Sequence, residues 1–201
     1  MFYKFVKILS WVFFKIYSRL RIEGHNYLPQ NETFILAANH FSNLDPFILM
    51  AAVQQEIYTL GKKELFKNTF LRFLFTRLNG IPVNRMGFCH QTFKIVTEIL
   101  QQQKIIAIFP EGYVSKDGTL GRFKQGIARF ALEAKVPIIP IAIIGSNQVL
   151  PYGKKIPRPH QITVKIGKPI YLNNYNEGCD RKIMNKVTER VRNEILALYR
   201  T

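Results

Sequence analysis

His40 and Asp45 stand with four residues between them, and an imidazole held against a carboxylate is equipment for general-base chemistry. On one helix the two side chains would diverge by about 140°. A strand, turn and helix can instead fold the carboxylate back onto the ring. Asp45 would then hold one ring nitrogen, fix the tautomer and stabilise the imidazolium, while the other nitrogen takes a proton from an attacking hydroxyl. This is part of a hydrolase triad without its serine, which suggests direct transfer onto an acceptor alcohol with no covalent enzyme intermediate. The plain alternative makes Asp45 a helix cap and His40 a turn residue. Glu111, after the apolar run Lys104 to Phe109, either binds acceptor hydroxyls or anchors its loop. Arg85, Lys62, Lys63, Arg122 and Lys124 suit a phosphate, arginine most of all because its fork makes paired contacts; otherwise they form a solvated basic surface.

The elements that must position these groups follow from apolar periodicity and turn chemistry. Strands are predicted at Thr33 to Ala38, Glu56 to Leu60, Gly80 to Asn84, Lys104 to Phe109, Ile138 to Ile144 and Gln161 to Ile166. Helices are predicted at Pro46 to Gln54, with Asp45 as cap, then at Glu64 to Leu78, Phe88 to Gln103, Gly126 to Ala134 and Arg181 to Arg200. Pro137 and Pro140 argue against an ordinary interior strand, so a strand starting near Ile138 with the prolines shaping a pocket wall is expected. Strands alternating with helices imply an α/β fold, a mainly parallel central sheet flanked by helices, with ligands beyond the carboxyl ends of strands. His40 and Glu111 both fall at such ends.

The run from Asn39 to Pro46, reading N-H-F-S-N-L-D-P, resembles the N-H-x-x-x-x-D-P block of the glycerolipid acyltransferases, more narrowly the 1-acylglycerol-3-phosphate acyltransferase family. Further blocks follow in the family's order. Lys62-Lys63-Glu64-Leu65-Phe66 is similar to its lysine-bearing segment and Gly80 to Arg85 to its second motif; Phe109-Pro110-Glu111-Gly112 is similar to the third, and Val136 to Pro140 to the fourth. The resemblance covers roughly residues 20 to 172. It implies a catalytic His40, an orienting Asp45 and substrate-binding roles for Arg85, Glu111 and Gly112. It further implies acyl-CoA or acyl carrier protein as donor, a lysolipid acceptor, no cofactor and no metal. One departure matters: relatives commonly continue the third motif with Thr-Arg-Ser, whereas Tyr113-Val114-Ser115 follows here, so an arginine associated with acceptor phosphate has no counterpart at Val114.

Length and composition bound the rest. The 201 residues, 47% hydrophobic, suit a single domain over 1–201. Lys and Arg number 29 against 13 Asp and Glu, a charge of +16 that favours a polyanion: nucleic acid, an anionic bilayer or an acidic carrier protein. No helix-turn-helix, ribonucleoprotein or zinc-finger signature supports specific nucleic-acid binding. Cys89 and Cys179 have no disulfide or zinc spacing, so a reducing cytosolic setting is the default. Residues 1–21 contain no apolar run of the 20 or so residues a bilayer span needs. Wound as a helix, they put Phe2, Phe5, Leu9, Val12, Phe13, Ile16 and Leu20 on one side and Lys4, Lys7, Lys15 and Ser18 on the other. Such a helix lies in a membrane interface or packs on its own domain. The expectation is a peripheral or monotopic protein on the cytoplasmic face of a membrane, its surface anionic.

Overall fold

The apolar runs Ile35–Ala38, Ile105–Ile108 and Ile138–Ile144 become adjacent strands because a segment apolar on both faces is stable only where both faces are covered. They are β2, β5 and β6 of a seven-stranded sheet completed by β1 (Arg21–Glu23), β3 (Ile57–Lys62), β4 (Gly80–Val83) and β7 (Thr163–Ile166). The computed structural model describes residues 1–83, 90–173, 175 and 180–200. The strand order is β1-β7-β6-β2-β5-β3-β4, parallel throughout except where β7 runs antiparallel to β6. Among the described residues seven α-helices accompany it: α1 (Phe2–Tyr17), α2 (Asp45–Ala52), α3 (Thr69–Arg77), α4 (His90–Gln101), α5 (Gly126–Ala134), α6 (Ser146–Val149) and α7 (Arg181–Arg200). The mainly parallel α/β sheet expected from the alternation of elements is the sheet observed.

Period-two alternation divides the core. Leu36, Ala107, Ile139 and Ile141 point to the face covered by α1 and α2; Ile35, Ala37, Ile106 and Ile138 point to the face covered by α4, α5 and α7. Each fully buried Ile or Leu of this set stabilises the fold by about 1.5–3 kcal/mol. On α7, Val187, Val191 and Ile195 recur every four residues and are all buried, the stripe of a helix laid on a sheet.

Several boundaries differ from expectation for local reasons. The region Glu64 to Leu78 is two elements, a 3-10 turn at Lys63–Phe66 and then α3, because the Asn68 side chain caps α3 by accepting from the Leu71 N–H. β1 escapes sequence reading: three residues, two of them charged, at the outer edge of the sheet leave no alternation to detect. Pro140 does sit inside β6, opposite Gly167, whose N–H donates to its carbonyl. The bridge Ile138–Ile170 and the pair Ile141–Ile166 enclose one more residue on the β7 side, so the missing proline N–H falls at a bulge. Neither Pro137 nor Pro140 lines the main cavity, contrary to the expected pocket wall.

α1 carries two apolar faces. Tyr3 and Phe14 are buried against the domain with Ser10 between them, while Phe5, Leu9, Val12 and Ile16 are exposed, Ile16 by 76%. Of the stripe singled out in the sequence, these four residues and Phe13 are open, whereas Phe2 packs partly buried against the domain and Leu20, beyond the helix end, is core; Ser18, expected on the polar side, is buried as well. Lys7 does not join its basic flank: its ammonium donates to the carbonyls of Gln54 and Gln55 after α2, and burial lowers its pKa. Among the described residues no helix is long and apolar enough to cross a membrane.

Candidate active site

The His40 loop begins where β2 ends, and Asn39 makes it rigid. Its buried carboxamide donates to the Ile143 carbonyl at 2.9 Å and accepts from the Ile143 N–H at 2.7 Å, so a side chain continues the β2–β6 ladder one step further. His40 follows with both backbone groups held: its N–H donates to Glu111 Oε1 at 2.9 Å and its carbonyl accepts from the Ser115 N–H at 2.7 Å. The imidazole stacks on Phe109 with ring centres 4.2 Å apart. His40 Nδ1 lies 3.0 Å from Asp45 Oδ2.

Asp45 is fully buried and starts α2 with Leu44 as cap residue, so the expected role as α2's own cap is not what the structure shows. Its carboxylate turns back instead: Oδ2 accepts from the N–H groups of Phe41 at 2.7 Å and Ser42 at 2.8 Å as well as facing His40. Pro46 after it and the positive end of the helix dipole both suit a carboxylate there. The arrangement fixes the imidazole with a proton on Nδ1, leaving Nε2 to meet a ligand.

His40 lines a mostly apolar cavity of about 690 Å³ that runs between α2, α3 and the ends of β3 and β5. Its walls include Tyr3 of α1, Phe47 and Met50 of α2, and Phe66, Leu71 and Phe75. Gly112, Val114, Lys62 and Lys124 are also on the wall. Gly112 has φ of +78°, and a Cβ there would stand 2.9 Å from Lys124 Nζ, so glycine both makes the turn and lets that lysine lie across it. A buried base at the end of an apolar slot with two ammonium groups on its wall is a place for a long apolar chain joined to a polar, anionic head.

A model of the family described as Acyltransferase matches residues 19–144, a stretch that contains the His40–Asp45 loop and the Glu111–Gly112 turn. This chain belongs to the acyltransferase family. It is 30% identical over 185 residues to the chloroplastic 1-acyl-sn-glycerol-3-phosphate acyltransferase BAT2 of Brassica napus, covering 89% of this chain and 53% of that one. It is 24% identical over 198 residues to the 1-acyl-sn-glycerol-3-phosphate acyltransferase of Bacillus subtilis, covering 98% and 96%. The crystal structure of the 1-acyl-sn-glycerophosphate acyltransferase PlsC of Thermotoga maritima superposes with a TM-score of 0.81 at 25% identity over 98% of this chain and 79% of that one. The chain spans about half the length of the Brassica relative and of its Arabidopsis thaliana counterpart.

The acyltransferase fold does not gather every residue named from the sequence. His40, Gly112, Lys62 and Lys124 share the cavity; Lys63 and Arg122 are exposed and do not line it; Arg85 lies outside the described residues. Glu111 is buried with both oxygens engaged, Oε1 by the His40 N–H and Oε2 by the Gly121 N–H at 2.9 Å, and it is absent from the cavity wall. Of its two readings, the observed contacts are those of a loop anchor. Residues the sequence did not single out complete the frame. Asn39 and Ser115 hold His40, and Arg192 of α7 donates to the carbonyls of Gly121 and Leu120. Tyr199 donates to the Ile143 carbonyl that also receives Asn39. Their partners are distant in sequence, and only the Asn in the N-H-x-x-x-x-D-P block gave a signal.

Burial pushes the Glu111 carboxyl above its ordinary value of 4.5, opposed by hydrogen bonds from the Gly121 and His40 N–H groups. A carboxyl whose folded pKa exceeds its unfolded one binds its proton more readily in the fold, so its contribution falls as pH rises from the lower value through the higher. Glu111→Gln should flatten that part of the stability curve, measured by denaturant melts across pH. One N–H would then face an amide NH2, displacing the His40 backbone, so kcat should fall with KM for the acceptor little changed.

Proposed function

We propose that this protein transfers a fatty acyl group from acyl-CoA or acyl carrier protein to the free hydroxyl of 1-acylglycerol-3-phosphate, giving phosphatidic acid for phospholipid synthesis. The observation that carries the reading is the 3.0 Å contact of His40 Nδ1 with buried Asp45, placed on the wall of the 690 Å³ apolar cavity. His40 Nε2 takes the proton of the acceptor hydroxyl as its oxygen attacks the thioester carbonyl. The imidazolium is stabilised by the Asp45 carboxylate across Nδ1–H. The tetrahedral intermediate collapses with cleavage of the carbon–sulfur bond, and the departing thiolate receives the proton from Nε2. Thioester, hydroxyl and His40 balance the reaction without a cofactor. Phe41 N–H and Ser42 N–H are engaged by Asp45, so donors to the developing oxyanion must come from elsewhere.

Lys62 and Lys124 favour a phosphate-bearing acceptor even though Val114 stands on the wall where relatives commonly carry an arginine. Charge-assisted hydrogen bonds contribute about 1.5–3 kcal/mol each, or roughly ten- to more than a hundredfold in discrimination. Lys124→Gln should therefore raise KM for lysophosphatidic acid by at least about tenfold and narrow its advantage over an uncharged lysolipid. Mass spectrometry of products from a panel of lysolipids, with acyl-CoA or acyl carrier protein as donor, tests the whole reading. Preference for an uncharged or zwitterionic acceptor, untouched by Lys124→Gln, would assign the enzyme to another lysolipid.

The reaction joins lipids, and the open face of α1 supplies a means of reaching them. Phe5, Leu9, Val12 and Ile16 would enter the acyl boundary of the cytoplasmic leaflet, with Lys4 and Lys15 toward anionic headgroups. Because Tyr3 and Phe14 of the same helix are core residues, deleting it would unfold the domain and test nothing. Leu9→Glu with Ile16→Glu should instead abolish flotation with anionic vesicles while leaving the melting temperature near that of the parent.

A further inference from the structure

We infer that the groove between α1 and the sheet-edge strand β1 binds the phosphate of an anionic phospholipid headgroup, with Lys15 and Arg21 on the phosphate and Trp11 at the boundary between headgroups and acyl chains. This rests on the reading that α1 docks on a membrane, and it adds a lipid site separate from the His40 cavity.

The groove is made by a chain reversal. α1 ends at Tyr17, the N–H groups of Ser18 and Leu20 both reach the Phe14 carbonyl, and Arg19 turns the chain with φ of 44°. Arg21 thereby returns beside the last turns of the helix, entering β1 with its N–H on the Ile162 carbonyl. The space between is about 410 Å³, floored by Leu20 and walled by Trp11, Lys15, Arg21 and Glu23. Trp11 and Lys15 are one helical turn apart and so share a face, which borders the exposed Ile8, Val12 and Ile16. β1 is the outermost strand, so nothing in the sheet covers this side.

Charge selects the occupant. Among the described residues neither Lys15 nor Arg21 has a carboxylate partner, and the one acid in the groove, Glu23, faces Lys165 of β7 at 3.9 Å. A guanidinium fork beside an ammonium is suited to phosphate oxygens. A free anion would leave the indole, 46% exposed, and the apolar face beside it in water; a lipid covers both, and tryptophan favours the interfacial layer.

Trp11 is the single tryptophan of the chain, so its emission reads the groove in the full protein without a label. With phosphatidylcholine vesicles containing phosphatidic acid as a minor component, the emission should shift to the blue and be quenched by brominated acyl chains. Lys15→Gln with Arg21→Gln should weaken binding to these vesicles by about tenfold to thirtyfold. Binding to vesicles of phosphatidylcholine alone should not change. The control is Lys182→Gln with Lys186→Gln on α7, the same loss of charge on the opposite face of the sheet, which should have a clearly smaller effect. Equal effects from the two pairs would reduce the site to net charge and overturn it. Flotation of the parent protein with no change in Trp11 emission would also overturn it while leaving α1 docking intact, whereas loss of flotation would sink both. Inorganic phosphate or duplex DNA reproducing the shift at physiological salt would replace the lipid by a soluble anion or a nucleic acid.

Discussion

His40→Ala should yield a folded protein whose turnover falls by about 10²- to 10⁴-fold, the range that a well-placed general base contributes. The ring is small against the core, and its removal enlarges a cavity that already exists, so loss of stability should be modest. On the proposed mechanism what is lost is the acceptor for the hydroxyl proton and the donor for the thiolate, since the same Nε2 serves both steps. On the proposed mechanism substrate is held by the apolar wall and by Lys62 and Lys124, which His40→Ala leaves in place, so KM should move far less than kcat. Initial rates with a saturating thioester donor, alongside a thermal melt, decide the point. Near-parent turnover in the folded variant would remove His40 from the mechanism.

Asp45→Asn should approach the same loss for a different reason. On the proposed mechanism Asp45 is a positioning residue: its Oδ2 holds three groups while buried Oδ1 has no hydrogen-bond partner among the described residues. An asparagine can keep the Phe41 and Ser42 N–H bonds by putting its carbonyl oxygen where Oδ2 stood, so the loop survives. Its NH2 then occupies the place of Oδ1 without a partner, at a cost of about 1–3 kcal/mol. Nothing negative is left to stabilise the imidazolium, so kcat should fall by about 10²- to 10⁴-fold with KM nearly constant. Initial rates at saturating donor with a thermal melt check this, and unchanged kcat in a folded Asp45→Asn protein would leave Asp45 as scaffold alone.

Legibility followed the range of the interactions. β2, β5 and β6 could be read from the sequence because central parallel strands must be apolar on both faces, a signal held within a few residues. β1 could not, since a three-residue edge strand is defined by its partner, Thr163 to Lys165, and not by its own pattern. The His40–Asp45 relation was partly visible because strand, turn and proline lie within eight residues. That the carboxylate also binds Phe41 and Ser42 was not, because loop N–H groups carry no side-chain code.

By itself, the sequence determined the alternating α/β order, the excess of basic residues, the pairing of His40 with Asp45 and most of the apolar stripe of α1, all of which are written in residue type and short-range spacing. Only the tertiary structure decided what Glu111 touches and which way α1 faces. Glu111 meets His40 across 71 residues of chain, and the choice between binding a substrate and anchoring a loop depends on which N–H groups the fold brings to its two oxygens. α1 has one apolar side too many for periodicity to resolve. Packing of Tyr3, Ser10 and Phe14 onto the domain consumes one side and leaves Phe5, Leu9, Val12 and Ile16 open, because a cylinder laid on a sheet can bury only the face that meets it.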